Sequence, residues 1–290
     1  MNVSTTTGGY YFAPPSKWPV VGSTALFFFA TGLVLWMNQV EPWGYLNLAV
    51  GFAILLYMLF GWFGNVISES EAGMYNKQVD LSYRWSMSWF IFSEVMFFAA
   101  FFGALFYARV FSVPWLGEVD NSLIWQGYDA KWPTAGPYLD GNPAYGFATM
   151  GAWGVPALNT FLLLSSGVTV TWAHHALKAG NRSQLVWGLF LTVLLGFTFL
   201  GFQIYEYVHA YSELNLKLTS GVFGSTFFML TGFHGFHVTL GAVMLTVILF
   251  RCMKGHFKPD HHFGFEAVAW YWHFVDVVWL GLFLFVYVIV

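Results

Sequence analysis

WPVVGSTALFFFATGLVLWMNQVEPWGYLNLAVGFAILLYMLFGWFGNVI, Trp18 to Ile67, holds a single acidic residue, Glu41, and no basic one. On either side of Val40-Glu41-Pro42, the runs Trp18–Met37 and Trp43–Ile67 are free of charge. At about 1.5 Å per residue, a helix of roughly 20 apolar residues crosses a hydrocarbon layer of about 30 Å. Each run meets that length, and a Pro-containing polar break between them reads as a turn. The stretch is therefore expected to form a transmembrane hairpin.

Working outward, five more segments qualify. Ser88–Ala108 is apolar apart from Glu94, Val155–Ala173 is uncharged, and Leu185–Val208 contains only Glu206. Val222–Phe250 includes His234 and His237, and Phe263–Val290 includes Glu266, His273 and Asp276. The expected fold is an all-α membrane protein of seven transmembrane helices. Residues 1–67 would carry an amino-terminal segment and spans one and two. Residues 68–84 (SESEAGMYNKQVDLSYR) read as a polar linker on the inner side, and 85–290 as a five-helix bundle. A cleft is expected where the linker parts the two units. The polar start, MNVSTTTGGYYFAPPSKWP, lacks the basic region of a signal peptide and the Arg-rich character of a transit peptide, so the first span reads as retained.

Composition agrees. Of 290 residues, 58% are hydrophobic and 9% charged, against about 25% charged in soluble domains. A water-facing surface cannot be built from so few charges. The net charge of -3, without a basic patch, argues against a nucleic-acid partner. The single cysteine, Cys252, excludes intrachain disulfides and Cys-based metal centres.

Basic residues favour the cytoplasmic or matrix side. With the amino end inside, Lys17, Lys77, Arg84, Lys178, Arg182, Arg251, Lys254 and Lys258 fall inside, and Arg109, Lys131 and Lys217 outside. The carboxyl end then lies outside. The longest connection, about 111–154, carries Glu118, Asp120, Asp129 and Asp140 and reads as an ordered, acidic outer cap. No internal repeat and no strict GxxxG supports an inverted-repeat transporter. Small residues such as Gly167, Thr171, Gly224, Gly235 and Gly241 suit close helix packing.

Ionisable groups at membrane depth are costly and invite a functional reading. Glu94 lies near the midplane: either a carboxyl that holds or relays a proton, or a neutral acid that ties helices together. Glu266, His273 and Asp276 fall on one side of the seventh span by spacing, and Gln203 and Glu206 sit three apart on the fifth. With His237 they form a candidate interhelical polar network. Nine histidines raise a metal or haem reading, since imidazole is a common ligand. Histidine boxes of the di-iron hydroxylase kind are missing: the chain has one HxxH and the bare pairs His174-His175 and His261-His262. For bis-histidine haem, His234 with His273 is the one plausible pair. The expectation is that the chain has no metal ligands and no cofactor of its own.

Four strings narrow the reading: SEVMFF (93–98), LNTFLLLSSGVTVTWAHHAL (158–177), GSTFFMLTGFHGFHV (224–238) and HHFGFEAVAWYWHFVDVVWL (261–280). In this order they resemble subunit III of haem–copper cytochrome c oxidases, with the resemblance running from the second span to the end. Seven spans favour cytochrome c oxidases over quinol oxidases, whose corresponding subunit is shorter by two helices. The resemblance implies helices one and two splayed from helices three to seven, with structural phospholipids in the cleft. It maps lipid contacts onto Trp62, Glu69, His234 and Arg251, and matches Glu94 to a buried glutamate near a proposed oxygen route. It further implies a non-catalytic subunit of a proton-pumping terminal oxidase, with haem and copper in partner subunits I and II and direct contact with subunit I. Departures are Trp62-Phe63-Gly64-Asn65 for a common Trp-Trp-Arg-Asp, Ser68-Glu69-Ser70 for Arg-Glu-Ser, and Gly103 for a tryptophan. The outer loop, longer than in mitochondrial forms, leans towards a bacterial plasma membrane over a mitochondrial inner membrane. The rival classes are a metal-dependent membrane enzyme using its own histidines and a proton-coupled transporter.

Overall fold

A computed structural model describes residues 11, 14–139 and 146–290. Asp140, expected in the acidic cap, lies outside the described residues, as does most of the segment before Pro14. Among the described residues, seven helices are long and apolar enough to cross a membrane, as the sequence predicts. They are α1 (Trp18–Met37), α2 (Trp43–Glu71), α3 (Lys77–Tyr107), α6 (Val155–Lys178), α7 (Arg182–Ser212), α8 (Gly221–Lys254) and α9 (Phe263–Leu282). The short helices α4 (Val113–Leu116) and α5 (Val119–Ser122) follow α3, and α9 runs on as a π-turn, Phe283–Val288. In hydrocarbon no water satisfies a free N–H or C=O, so an isolated span has to be helical.

Most of these helices outrun their apolar runs. The expected 17-residue polar linker at 68–84 is largely helix: α2 continues to Glu71 and α3 begins at Lys77, leaving a turn at 72–76. Hydropathy marks the membrane and not the helix, and this polar sequence contains good helix formers. Asn76 starts α3, its side-chain oxygen accepting from the N–H groups of Gln78 and Val79 at 3.1 and 3.0 Å. Asn181 caps α7 in the same way through Gln184 N–H, and α8 ends on Gly255 at φ 90°, a left-handed stop that suits glycine.

The chain divides into two compact units, residues 1–83 and 84–290. In the first, α1 and α2 pack as an antiparallel pair on small residues. A Cβ added to Gly32 would lie 2.8 Å from the backbone nitrogen of Leu48, one at Gly51 3.0 Å from that of Phe29, and one at Gly44 2.7 Å from that of Trp36. The contacting positions on α1, from Trp18 through Gly22, Ala25, Phe29 and Gly32 to Trp36, repeat every three or four residues, the seam of a left-handed helix pair. The opposite faces of both helices expose Phe27, Phe52, Phe60 and other large apolar side chains, as lipid requires.

In the second unit α9 is the central post. Trp272, Val275, Trp279 and Leu282 are fully buried on it. Its two indoles hydrogen-bond into α6, Trp272 Nε1 donating to Ser166 Oγ at 2.8 Å and Trp279 Nε1 to Thr160 Oγ1 at 2.9 Å. Glycines 196 and 241, on α7 and α8, make room for the Trp272 ring. Further links are Thr169 to Thr192 between α6 and α7 and Tyr207 to Thr231 between α7 and α8. Helix α3 meets the others through long side chains, with Phe97 against Phe233, Phe98 against Phe274 and Phe102 against Phe285.

The outer connection is tied down as well. Phe223 N–H donates to Thr134 O, Ala148 N–H to Leu214 O, and the Phe147 ring stacks on Phe223 at 5.3 Å.

Glycine-to-alanine changes should separate packing from propensity. In Gly241→Ala the new methyl meets Trp272 Cε3 at 2.7 Å, so a loss of about 1–3 kcal/mol is expected from overpacking. Gly103→Ala faces open space and should be neutral or gain up to about 1 kcal/mol from helix propensity. Thermal unfolding of the two variants in one detergent checks the difference in sign.

Candidate functional site

The ionisable groups within the five-helix unit fall into separate clusters, each at its own depth. The first joins α3 to α8. His237 Nε2 lies 2.7 Å from Glu94 Oε2, and its Nδ1 lies 2.6 Å from the carbonyl oxygen of Phe233. A carbonyl only accepts, so Nδ1 carries a hydrogen and donates. The contact at Nε2 then needs one proton, held either on the imidazole or on the carboxyl group. The Glu94–His237 pair is thus a one-proton link between helices, packed by the rings of Phe98, Tyr271 and Phe274. The partner of Glu94 is 143 positions away in sequence, and no local spacing reveals it.

A second cluster joins α7 to the carboxyl-terminal turn: Tyr287 Oη donates to Glu206 Oε1 at 2.6 Å, both groups being buried. Gln203 is buried beside them. Here the expected network changes. Glu206 and Gln203 look towards Tyr287 and not towards the acids of α9, because Tyr287 arrives at their depth one turn after the regular part of α9 ends.

Those acids diverge as well. Asp276 Oδ2 lies 3.5 Å from His273 Nδ1 and sits over Gly167 of α6 so closely that a side chain there would collide with it. His273 Nε2 in turn contacts Thr171 Oγ1 at 3.2 Å. Glu266 is nearly three turns away, at the opposite end of α9. Its Oε2 pairs with the Arg84 guanidinium of α3, while its Oε1 faces His174 Nε2 of α6 at 3.5 Å and His262 Nε2 at 3.3 Å. The continuous seam expected from Glu266, His273 and Asp276 is therefore two clusters.

His234 occupies the interior of the bundle, 1% exposed. Its Nε2 donates to the Val275 carbonyl at 3.2 Å, and the rings of Phe199 and Trp279 enclose it. That placement sets it apart from the other expected lipid contacts, which are more exposed. It also separates His234 from His273, which bonds to α6 on the other side of α9, so the two imidazoles do not face one another across a haem.

The other expected lipid contacts are at the periphery. Trp62 is half exposed. Glu69 accepts from Tyr75 Oη at 2.8 Å; burial, and then that carboxylate, push the Tyr75 phenol up from its ordinary value. Arg251 is partly exposed, its guanidinium 4.3 Å above the Phe257 ring, at the end of α8 with Lys254.

The family description "Cytochrome c oxidase subunit III" matches residues 9–290. Cytochrome c oxidase subunit 3 of the alga Prototheca wickerhamii is 42% identical over 279 residues, covering 96% of each chain. The proteins of the same name from Marchantia polymorpha and the ostrich Struthio camelus are 42% and 41% identical, each over 96% of this chain.

Two pairs of variants test the polar links. His237→Phe keeps a ring in place but leaves Glu94 without its bond, and should cost about 1–3 kcal/mol. Glu94→Gln retains an oxygen and an N–H at the same position, and should cost less. Tyr287→Phe, which strands the buried Glu206, should be worse than the joint Tyr287→Phe, Glu206→Leu change, since removing both partners leaves no orphan. Denaturation midpoints at fixed detergent concentration decide each ranking.

Proposed function

The chain belongs to the cytochrome c oxidase subunit III family, and on that premise we propose that it serves as the stabilising, lipid-holding subunit of a proton-pumping terminal oxidase. Membership of the oxidase complex follows from the family, as does the lack of a catalytic centre in the subunit itself; haem and copper sit in other subunits. The finer roles are our reading. The chain packs directly against subunit I in the same complex as subunit II, holds structural phospholipids and supports proton uptake and oxygen access.

One observation carries this reading: the buried acids and histidines are engaged between helices, at Glu94–His237, Glu206–Tyr287 and Arg84–Glu266. Groups used in this way make a stiff bundle, and a stiff apolar bundle suits a neighbour that must keep its own proton-conducting interior intact. The outward faces are rich in Phe, Trp, Leu and Val, a surface for acyl chains and for another membrane subunit alike. Molecular oxygen, being apolar, partitions into such surroundings.

For lipid, Arg251 supplies the cation that can grip a phosphate through two N–H groups, with Trp62 at interfacial depth. Glu69, held by Tyr75, offers an acceptor for an ammonium headgroup. With Ser68 and Ser70 beside it, the end of α2 is poor in basic residues, which favours a zwitterionic lipid there. The excess of basic residues on one side supports an amino end facing the cytoplasm of a bacterium, or the matrix of a mitochondrion.

An oxidase depleted of this subunit should turn over at first and then inactivate several-fold sooner than the intact enzyme. Counting turnovers until activity is lost checks this, and equal endurance would sink the proposal. In the intact complex, Arg251→Ala should lower the number of co-purifying phospholipids, counted by mass spectrometry, without altering the haem spectrum.

A further inference from the structure

We propose that His174, His262 and Glu266 form a binding site for a zinc-like divalent cation. The three come from separate places: His174 four residues before the end of α6, His262 at the start of α9, and Glu266 in the first turn of α9. Their ligand atoms lie within 4.8 Å of one another. Glu266 Oε1 is 3.3 Å from His262 Nε2 and 3.5 Å from His174 Nε2. Ligands about 2.0–2.2 Å from a tetrahedral metal are separated by about 3.3–3.6 Å, so the carboxylate oxygen already stands at coordination distance from both imidazoles.

A second observation concerns what these atoms lack. His262 is 9% exposed, and its Nε2, like that of His174, is buried with no hydrogen-bond partner. The other nitrogen of His262, Nδ1, lies 3.2 Å from the Lys258 carbonyl and therefore donates to it. That bond leaves Nε2 free of a hydrogen and 3.3 Å from Glu266 Oε1, and a backbone carbonyl on the far nitrogen is the usual way a metal-binding histidine is held. The Arg84 guanidinium pairs with Glu266 Oε2 and leaves Oε1 for the cluster. Two acceptors, a carboxylate oxygen and an imidazole lone pair, thus face each other at 3.3 Å, and a cation between them turns repulsion into bonding.

Two imidazoles and one carboxylate, with a fourth position for water, suit zinc. Magnesium and calcium prefer all-oxygen shells. A site tying α6 to the entry of α9, with Arg84 bringing α3 alongside, would brace one end of the bundle.

The test uses the purified oxidase containing this chain, with zinc ion alone as the probe. After equilibration with excess zinc and removal of the free ion, an anomalous map at the zinc edge should show a peak about 2.0–2.3 Å from His174 Nε2, His262 Nε2 and Glu266 Oε1. In His262→Gln, with an unchanged haem spectrum, zinc affinity at this position should fall by about tenfold or more. No peak at the cluster in the unaltered complex overturns the proposal, whether or not the variant assembles. A peak that persists with equal affinity in His262→Gln also overturns it, as does a cluster held by protons alone.

Discussion

A bilayer interior offers no water to a polar group, and that constraint governs both levels of this structure. At the backbone it leaves the helix as the form of an isolated span, so seven apolar runs become seven helices. At the side chains it requires each acid or histidine to find a partner within the protein, at the depth where it already is. Helix α3 shows the consequence. It meets its neighbours chiefly through phenylalanine rings, which are slippery contacts with no fixed register. Two polar links, Arg84 to Glu266 and Glu94 to His237, pin it at two heights. A helix pinned twice can neither slide nor rotate.

The spans were legible because hydropathy reports depth directly. Their ends were not, because a helix that leaves the membrane continues as long as its sequence tolerates helix. The segment 68–84 is polar yet nearly all helical, and only the turn around Gly73, at φ 70°, needs a residue free of Cβ. The seam between α1 and α2 was present in the sequence without being obvious. Gly22, Ala25 and Gly32 face Met58, Gly51 and Leu48 in a three-four repeat, which a search for GxxxG overlooks because the small residues alternate with large ones and with each other's helix.

For the polar residues, depth could be read but partners could not. Spacings of seven and three look like one face of a helix, yet at about 100° per residue Glu266 and Asp276 differ by about 80° around the axis and about 15 Å along it. Each therefore meets a different neighbour: Arg84 and His174 for Glu266, Gly167 and His273 for Asp276. His234 is enclosed within the bundle for a related reason. His234 and His237, three residues apart on α8, lie only about 60° apart around the axis, yet one meets α9 at Val275 and the other meets α3 at Glu94.

What a buried histidine does here is set by which of its nitrogens a backbone carbonyl holds. Phe233 takes Nδ1 of His237 and Lys258 takes Nδ1 of His262, so each presents Nε2 to a glutamate. The two pairs nevertheless differ in kind. Glu94 meets His237 at 2.7 Å, a distance at which one proton completes the bond. Glu266 has its second oxygen committed to Arg84, and it faces two imidazoles at 3.3 and 3.5 Å, too far apart for one proton to serve all three. The same two residue types therefore build a proton-sized link in the middle of the bundle and a larger, cation-sized gap at its end. The arginine decides between them.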